Sequence, residues 1–455
     1  MAPYDFIAEK NIKDERLAFA HKLLDAREDI VSFVDNRLGW NGTGKYDGFF
    51  KGSFNLNMDV KRGDSDEHVL IRFPFPGNIY GPWRDEKVTN EVMVMSYLRE
   101  HTSIPVPPVR CWGVTEESPQ RLGPFIIMDL MEGQDLSDFL QQPTQSKEEA
   151  IILNPNIDEV KLDFVYDQIA DFMLQLSRLE FSRIGAISKD AASGRWAVVG
   201  RPLTYDMNEV VTLAGYPPDQ FAMTAPFDRA SDYFAARAHY FQTHVETQRN
   251  IAGDSEEVAW SQLVARRRFA ELIPAYCVDD AGPFRLFCDD LRPTNMLADP
   301  ETLRITAVLD FEFTNAMPAQ FAYDPPWWLL LKQPAGWVRE GEMQKFLDLF
   351  VPRKEQFIRA MERAEAKSPP PAGQSCISAR MRDSWDSGRF WFNLASRKSF
   401  DVDEIYWEAL SEKGKGQTIL DEATLAKRER FVKKKKDQFD GYRRERESDK
   451  RFAKE

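Results

Sequence analysis

The feature that most constrains this chain is the stretch FRLFCDDLRPTNMLADPETLRITAVLDFE, residues 284–312. Its first four residues, 284–287, are mostly apolar and predict a strand, followed by a polar loop that carries Asp290, Arg292 and Asn295. Residues 296–298 and 303–309 are apolar runs separated by Asp299 and Pro300, a turn pair, so the spacing predicts a hairpin. Such a hairpin folds the chain back and sets Asp310 beside Asp290 and Asn295. Two carboxylates and an amide then converge, which suits a hydroxyl nucleophile on one side and a hard divalent cation on the other.

An Asp with an Asn five residues on, and an apolar strand ending in Asp fifteen residues after that, is the spacing of a kinase catalytic loop and its metal-binding element. It predicts phosphoryl transfer from ATP with Mg2+: Asp290 orients an acceptor hydroxyl, while Asn295 and Asp310 hold the metal. CDDLRPTN resembles the HGDLHPxN loop of the aminoglycoside phosphotransferase and choline kinase family, and VLDFE resembles the IDWE that follows it there. Cys288 stands at the usual histidine and Asp289 at the usual glycine. The resemblance implies a loop-shaping role for Cys288, a metal-assisting role for Glu312, and contact between Arg292 and the transferred phosphate. It also implies an α+β, bilobal, protein-kinase-like fold, with a small antiparallel-sheet N-lobe and a larger, mainly helical C-lobe.

Upstream, the segment 49–73 reads as strands with a turn at Gly63, and Gly52 with Ser53 would let backbone N–H groups approach phosphates closely. By the same resemblance, Arg72 in VLIRF occupies the slot of the family's phosphate-binding lysine, and Glu91 that of the helix glutamate that pairs with it. Arginine keeps the charge but is longer and planar, so the exchange bears on activity. The segment MDLMEGQDL resembles the hinge between lobes and places the backbone of Asp129 and Met131 against adenine. Asp324, ahead of two prolines and the apolar run 327–331, predicts a helix start, and by resemblance a support for the catalytic loop.

The remaining elements follow from periodicity. Residues 14–38 predict one amphipathic helix with Leu17, Ala20, Leu24, Val31 and Val34 inward, stopped by Gly39. Helices are expected over 85–99, 136–140, 158–179, 229–268 and 344–365, and an exposed loop over 141–149. The aromatics of 182–280, including Trp196, Tyr205, Phe221 and Tyr240, are candidates for an acceptor pocket, because related small-molecule kinases build one from an insertion there. Beyond about residue 420 the chain is charged, with a KKKK run that would suit a nuclear signal, a site for an acidic partner or a solvated helical extension; the interspersed acids favour the last. The expected division is a helical extension (1–44), an N-lobe (45–131), a C-lobe with catalytic loop and insertion (132–420) and a basic tail (421–455).

Composition narrows the partners. At 43% hydrophobic residues and 12% aromatics, the 455-residue chain can build a real core. A net charge of -13 argues against a nucleic-acid surface and mildly favours a cationic small-molecule acceptor. Four cysteines without CxxC spacing fit free thiols in a reducing compartment. A polar N-terminus and no apolar run of spanning length predict a cytoplasmic protein without a membrane span. The expected activity is an ATP- and Mg-dependent small-molecule phosphotransferase. The alternative is a weak or inactive kinase-like binder of nucleotide or metabolite.

Overall fold

The computed structural model describes residues 4–63, 65–144, 149–371, 373–411 and 426–452. Five strands form one antiparallel sheet in the order β1-β2-β3-β5-β4: β1 (Gly44–Lys51), β2 (Asn55–Arg62), β3 (His68–Pro74), β4 (Val109–Gly113) and β5 (Phe125–Asp129). The period of two sorts its side chains. Val69, Ile71 and Phe73 of β3, with Phe125 and Ile127 of β5, point to one core, while Leu70, Ile126 and Met128 point to another. Arg72 shares the Leu70 face and so is aimed at α3 (Arg84–His101).

The first core is closed by α1 (Phe6–Asp25) and α2 (Arg27–Leu38), two helices where the periodicity predicted one. The first starts earlier than expected because Asp5 caps it, its carboxylate accepting from the N–H groups of Ile7 (2.9 Å) and Ala8 (3.1 Å). The chain turns at Ala26, and Gly39 ends the second helix at φ 66°, as its position suggested. The inward stripe is Phe19, Leu23, Ile30 and Val34, whereas Leu17 and Leu24 are exposed at 60% and 45%. After the break Val31 and Val34 are buried as expected, while in α1 Phe19 and Leu23 take the inward places expected of Leu17 and Leu24.

The rest of the chain is mainly helical, giving the expected α+β division. Its helices are α4 (Leu136–Leu140), α5 (Glu159–Ser177), α6 (Tyr205–Ala214), α7 (Ala230–Thr247), α8 (Glu256–Tyr276), α9 (Pro334–Arg339), α10 (Met343–Lys367), α11 (Ile377–Asp386), α12 (Arg389–Arg397), α13 (Val402–Ile405) and α14 (Arg428–Ser448). Asp158 caps α5 by accepting from the Lys161 N–H (2.9 Å). The strands are short: β6 (Gln134–Asp135), β7 (Glu180–Phe181), β8 (Ala186–Lys189), β9 (Trp196–Gly200), β10 (Phe284–Phe287), β11 (Met296–Ala298), β12 (Ile305–Val308) and β13 (Asn315–Met317). The predicted hairpin is the β11–β12 pair, and β6 extends it. Gly133 lets the chain cross that hairpin, because a Cβ there would lie 2.6 Å from Thr306 Oγ1.

Two expectations are corrected here. The C-terminal helix α14 is not fully solvated: Phe431, Val432, Lys435 and Tyr442 are buried, and the Lys435 ammonium donates to the Gln248 carbonyl at 2.5 Å. Burial lowers the Lys435 pKa to about 7. Residues 327–330 form a 3-10 turn and not an α-helix, with Pro326 and not Asp324 at its N-cap. Part of the expected loop 141–149 and the expected boundary at residues 420 and 421 lie outside the described residues. No helix among the described residues is long and apolar enough to cross a membrane.

Candidate active site

The catalytic loop between β10 and β11 holds Asp290 from two sides. Asn295 Nδ2 donates to its carboxylate at 2.7 Å and to its backbone carbonyl at 2.9 Å, while Arg292 Nε lies 2.7 Å from Oδ1. Because Asn295 spends its amide N–H groups this way, its Oδ1 remains an oxygen donor facing away from Asp290. Burial raises the Asp290 pKa, against the opposing field of Arg292 and the hydrogen bond from Asn295. Arg292 therefore meets Asp290 directly; the sequence placed it at the phosphate.

Asp310 follows β12 with φ 56°, a left-handed conformation that Asp tolerates better than most residues and that turns its carboxylate away from the strand. Two bonds tie this turn to the loop: Leu309 N–H donates to the Asn295 carbonyl (2.8 Å), and the Cys288 thiol donates to the Asp310 carbonyl (3.8 Å). Burial pushes the Cys288 thiol up to about 12, so it stays a neutral donor. A side chain in the histidine slot thus still joins the two motif halves.

Arg72 bridges from the sheet. Its Nη1 meets Glu91 Oε1 at 2.7 Å, making the expected pair, and its Nη2 meets Asp310 Oδ1 at 2.9 Å. The planar fork reaches two carboxylates at once, which a single ammonium does with less geometric control. The sequence reading missed Lys87. This fully buried lysine lies one helical turn before Glu91, pairing with Glu91 Oε2 at 2.8 Å and with Glu312 Oε2 at 2.5 Å. Its trace was present as a Lys and Glu four apart on the inward face of α3.

Glu312, expected beside the metal, is instead engaged by Lys87 and, at 3.4 Å, by Asn55 Nδ2. Burial opposes the charge of both cations, but the carboxylates of Asp310, Glu91 and Glu312 outweigh it and hold Arg72 and Lys87 protonated. Glu91 is held ionised by the same two cations, whereas burial and its acidic neighbours raise the Glu312 pKa. Three carboxylates share two cations, leaving a deficit of positive charge next to Asp310 and the free oxygen of Asn295. Hard oxygen donors with unmatched negative charge fit Mg2+.

The other expected residues are dispersed. Gly52 donates its N–H to the Asn55 carbonyl (3.0 Å), closing the β1–β2 turn, so that donor is committed; Ser53 beside it is exposed. The Asp129 side chain pairs with Arg110 at 2.5 Å and its N–H with the Pro108 carbonyl at 3.0 Å. The following N–H, of Leu130, bonds the His68 carbonyl, and that of Met131 has no backbone partner among the described residues. Asp324 does not reach the catalytic loop. Its Oδ1 accepts from Ser384 Oγ (2.5 Å) and Asn393 Nδ2 (2.9 Å), and burial raises its pKa to about 7. The link to the loop comes from Trp327, whose indole N–H donates to the Asp289 carbonyl at 3.1 Å.

Asp290 lines a cavity of about 1130 Å³, its open mouth included, with Phe54, Tyr205, Phe287, Phe313 and Trp327 in its walls and Arg397 and Lys398 behind. Of the four aromatics considered from the insertion, Tyr205 lines it. Phe221 and Tyr240 pack with Tyr216 in the core, and Trp196 packs on Tyr97.

Residues 53–343 match the family described as "Phosphotransferase enzyme family". The chain is 23% identical over 285 residues to "Clavilactone A biosynthesis cluster protein Y" of Ampulloclitocybe clavipes, covering 60% of this chain and 62% of that protein. It thus spans less than two thirds of that relative's length. Among solved structures it is similar to an ethanolamine kinase of Plasmodium vivax (11% identity, 90% of this chain, 85% of that one, TM-score 0.42). It is also similar to a choline kinase of Cryptosporidium parvum (12% identity, 91% and 97%, TM-score 0.39).

Proposed function

The chain belongs to the phosphotransferase enzyme family, with a protein-kinase-like fold, and from that membership we propose that it moves the γ-phosphoryl group of ATP to a hydroxyl of a small molecule. One observation carries the reading: the Asp290 carboxylate lines a cavity large enough for an acceptor while Asn295 and Arg292 fix its orientation. The acceptor hydroxyl gives its proton to Asp290 as its oxygen bonds to the γ-phosphorus. The bond from that phosphorus to the β–γ bridging oxygen breaks, and ADP leaves with the electron pair. Raising the Asp290 pKa by burial makes the carboxylate a better proton acceptor.

Asp310 and Asn295 are the residues that would hold Mg2+, with Glu312 behind them neutralised by Lys87. A magnesium ion bound there supplies positive charge to the phosphate oxygens. Arg72 keeps the Asp310 carboxylate oriented, and Glu91 keeps Arg72 oriented. The turn at Gly52 and Ser53 lies over the phosphates in this reading, and the backbone near Asp129 and Met131 meets adenine. We divide the chain as 1–44, 45–131, 132–420 and 421–455, and assign it to the cytoplasm, which suits its free thiols.

A second reading, a binder without turnover, is favoured by the Arg292–Asp290 pair, since an engaged base must be released before it acts. ADP release and acceptor mass gain, measured with ATP and Mg2+ across a panel of alcohols, separate the two. Wild type exceeds Asp290→Asn and Asp310→Ala if transfer occurs; equal rates in all three reject it. A magnesium-dependent thermal shift with ATP but no turnover supports the binder.

A further inference from the structure

The charges around the cavity can be paired one by one. Asp289 meets Arg397 Nη1 at 2.7 Å, Asp206 meets Arg237 Nη2 at 2.7 Å, and Asp401 meets Arg339 Nη2 at 2.7 Å. Asp290 has Arg292 and Glu312 has Lys87. Every carboxylate lining the cavity thus has a cation within ion-pair distance, although Arg339 also serves Glu404 and Lys87 also serves Glu91, so none stands bare to receive a positively charged acceptor.

Lys398 is the exception among the cations. It lines the cavity half-buried, makes no ion pair among the described residues, and donates only to Gln333 Oε1 at 3.4 Å, a long bond. Glu209, the acid that acts on it most strongly, does so from beyond ion-pair distance; Glu209 itself accepts from the hydroxyls of Tyr4 (2.8 Å) and Tyr205 (3.3 Å). Burial opposes the Lys398 charge, but the fields of Glu209, Asp401, Asp289 and Asp206 outweigh it, so the ammonium stays protonated with donors to spare. Its Nζ lies 5.6 Å from the Tyr205 ring. Tyr205 packs edgewise on Phe54 (5.5 Å) and Phe313 (5.9 Å), making a wall of three half-buried rings between Lys398 and the β1–β2 turn.

Building on the phosphotransfer reading, we propose that the acceptor is a flat, largely apolar hydroxy compound without positive charge, and that a carbonyl or carboxylate oxygen on it takes a hydrogen bond from Lys398. The ring wall receives its face, the ammonium its oxygen, and Asp290 its hydroxyl. An aminosugar lacks the flat face and brings ammonium groups to a cavity whose acids are already matched. The composition pointed the other way because the net charge of -13 belongs to the whole surface, not to this cavity.

The test compares four acceptors with ATP and Mg2+: a hydroxycoumarin (carbonyl), a hydroxynaphthoate (carboxylate), a naphthol (neither) and glucosamine. Phosphorylated product is read by mass, and binding by quenching of tryptophan fluorescence. In wild type, at least one oxygen-bearing aryl compound gives the highest kcat/KM and the tightest binding, and the first two arms separate carbonyl from carboxylate. Lys398→Met weakens the binding of that compound ~10-fold while changing naphthol less than about twofold, and Lys398→Arg restores most of the difference. Tighter binding of glucosamine than of every aryl compound overturns the proposal, as does a Lys398→Met effect equal for naphthol and the oxygen-bearing compounds. If wild type phosphorylates nothing, the phosphotransfer reading fails, yet the binding ranks still decide the class of ligand.

Discussion

Two charged regions flank Asp290, and they are wired differently. Around Arg72, charges are shared: Arg72 bridges Glu91 and Asp310, and Lys87 bridges Glu91 and Glu312. Around the cavity, Asp289 with Arg397 and Asp206 with Arg237 are matched one to one, Arg339 serves Asp401 and Glu404 together, and aromatic rings fill the space between. Sharing couples elements, since β3, α3 and the segment after β12 must all be in place for every bond to form. Matching isolates each pair and leaves shape and the unpaired Lys398 to select the ligand. The shared region suits a function common to nucleotide users; the matched one can differ between acceptors without disturbing the first.

The largest effect tests the point where the two regions meet. Asp290→Asn keeps an oxygen to accept from Asn295 but removes the proton acceptor. We expect kcat to fall ~10²–10⁴-fold in a steady-state assay, with melting temperature nearly unchanged. A comparable loss in both quantities would mean that Asp290 serves the fold.

Next comes Lys87→Met, which breaks the shared region and reaches the cavity only through Glu312. It leaves Glu312 and part of Glu91 buried without a cation, and breaking such a pair costs ~3–5 kcal/mol. Urea unfolding reads this directly, and adding Glu312→Gln recovers a large part, because the stranded charge is then gone. Additive losses in the double variant would show that the two residues are not coupled.

Arg72→Lys is smaller, since the charge remains and only the fork is lost. One ammonium cannot hold Glu91 and Asp310 in the same plane, and we expect kcat/KM for ATP to drop ~10-fold, about 1.4 kcal/mol. An unchanged value would show that sharing by Arg72 is dispensable.

The same contrast explains what could be read from the sequence. The shared region was legible because its members sit on elements with strong local rules: alternation in β3 aims Arg72, helical spacing aims Glu91, and the turn at Asp299 and Pro300 returns Asp310 to the loop. Lys87 was missed although it obeys the same helical rule, because a lysine in a charged helix is usually solvent-facing. The matched region left almost no trace. Arg397 lies 108 residues beyond Asp289, and Ser384 and Asn393 lie 60 and 69 beyond Asp324, so only the packing of α11 and α12 brings them together. Likewise, the start of α1 depended on a cap at Asp5, outside the periodic stretch that announced the helix.

The smallest expected effect per unit of pH probes how isolated the matched region is. Asp324 sits behind the cavity wall with one oxygen bonded to Ser384 and Asn393 and the other without a hydrogen-bond partner among the described residues. Burial raises its pKa to about 7, and the field of Arg397 only partly opposes the rise. A carboxyl whose pKa is higher folded than unfolded binds its proton more tightly in the native state. Its stabilising effect is therefore complete below the unfolded value near 4 and is lost as pH climbs toward 7, by at most ~1.4 kcal/mol per unit. Asp324→Asn retains an oxygen for Ser384 and Asn393 and cannot ionise, so its urea midpoint should stay flatter between pH 5 and 7 than that of wild type, and lie higher at pH 7.5. If the region is wired pair by pair, Arg397→Gln steepens the wild-type slope by removing the cation that favours the ionised form, and leaves Lys87→Met as costly as before. Were Arg397→Gln to alter the Lys87→Met penalty, the two regions would be one network, and the separation of nucleotide and acceptor duties drawn from them would fail.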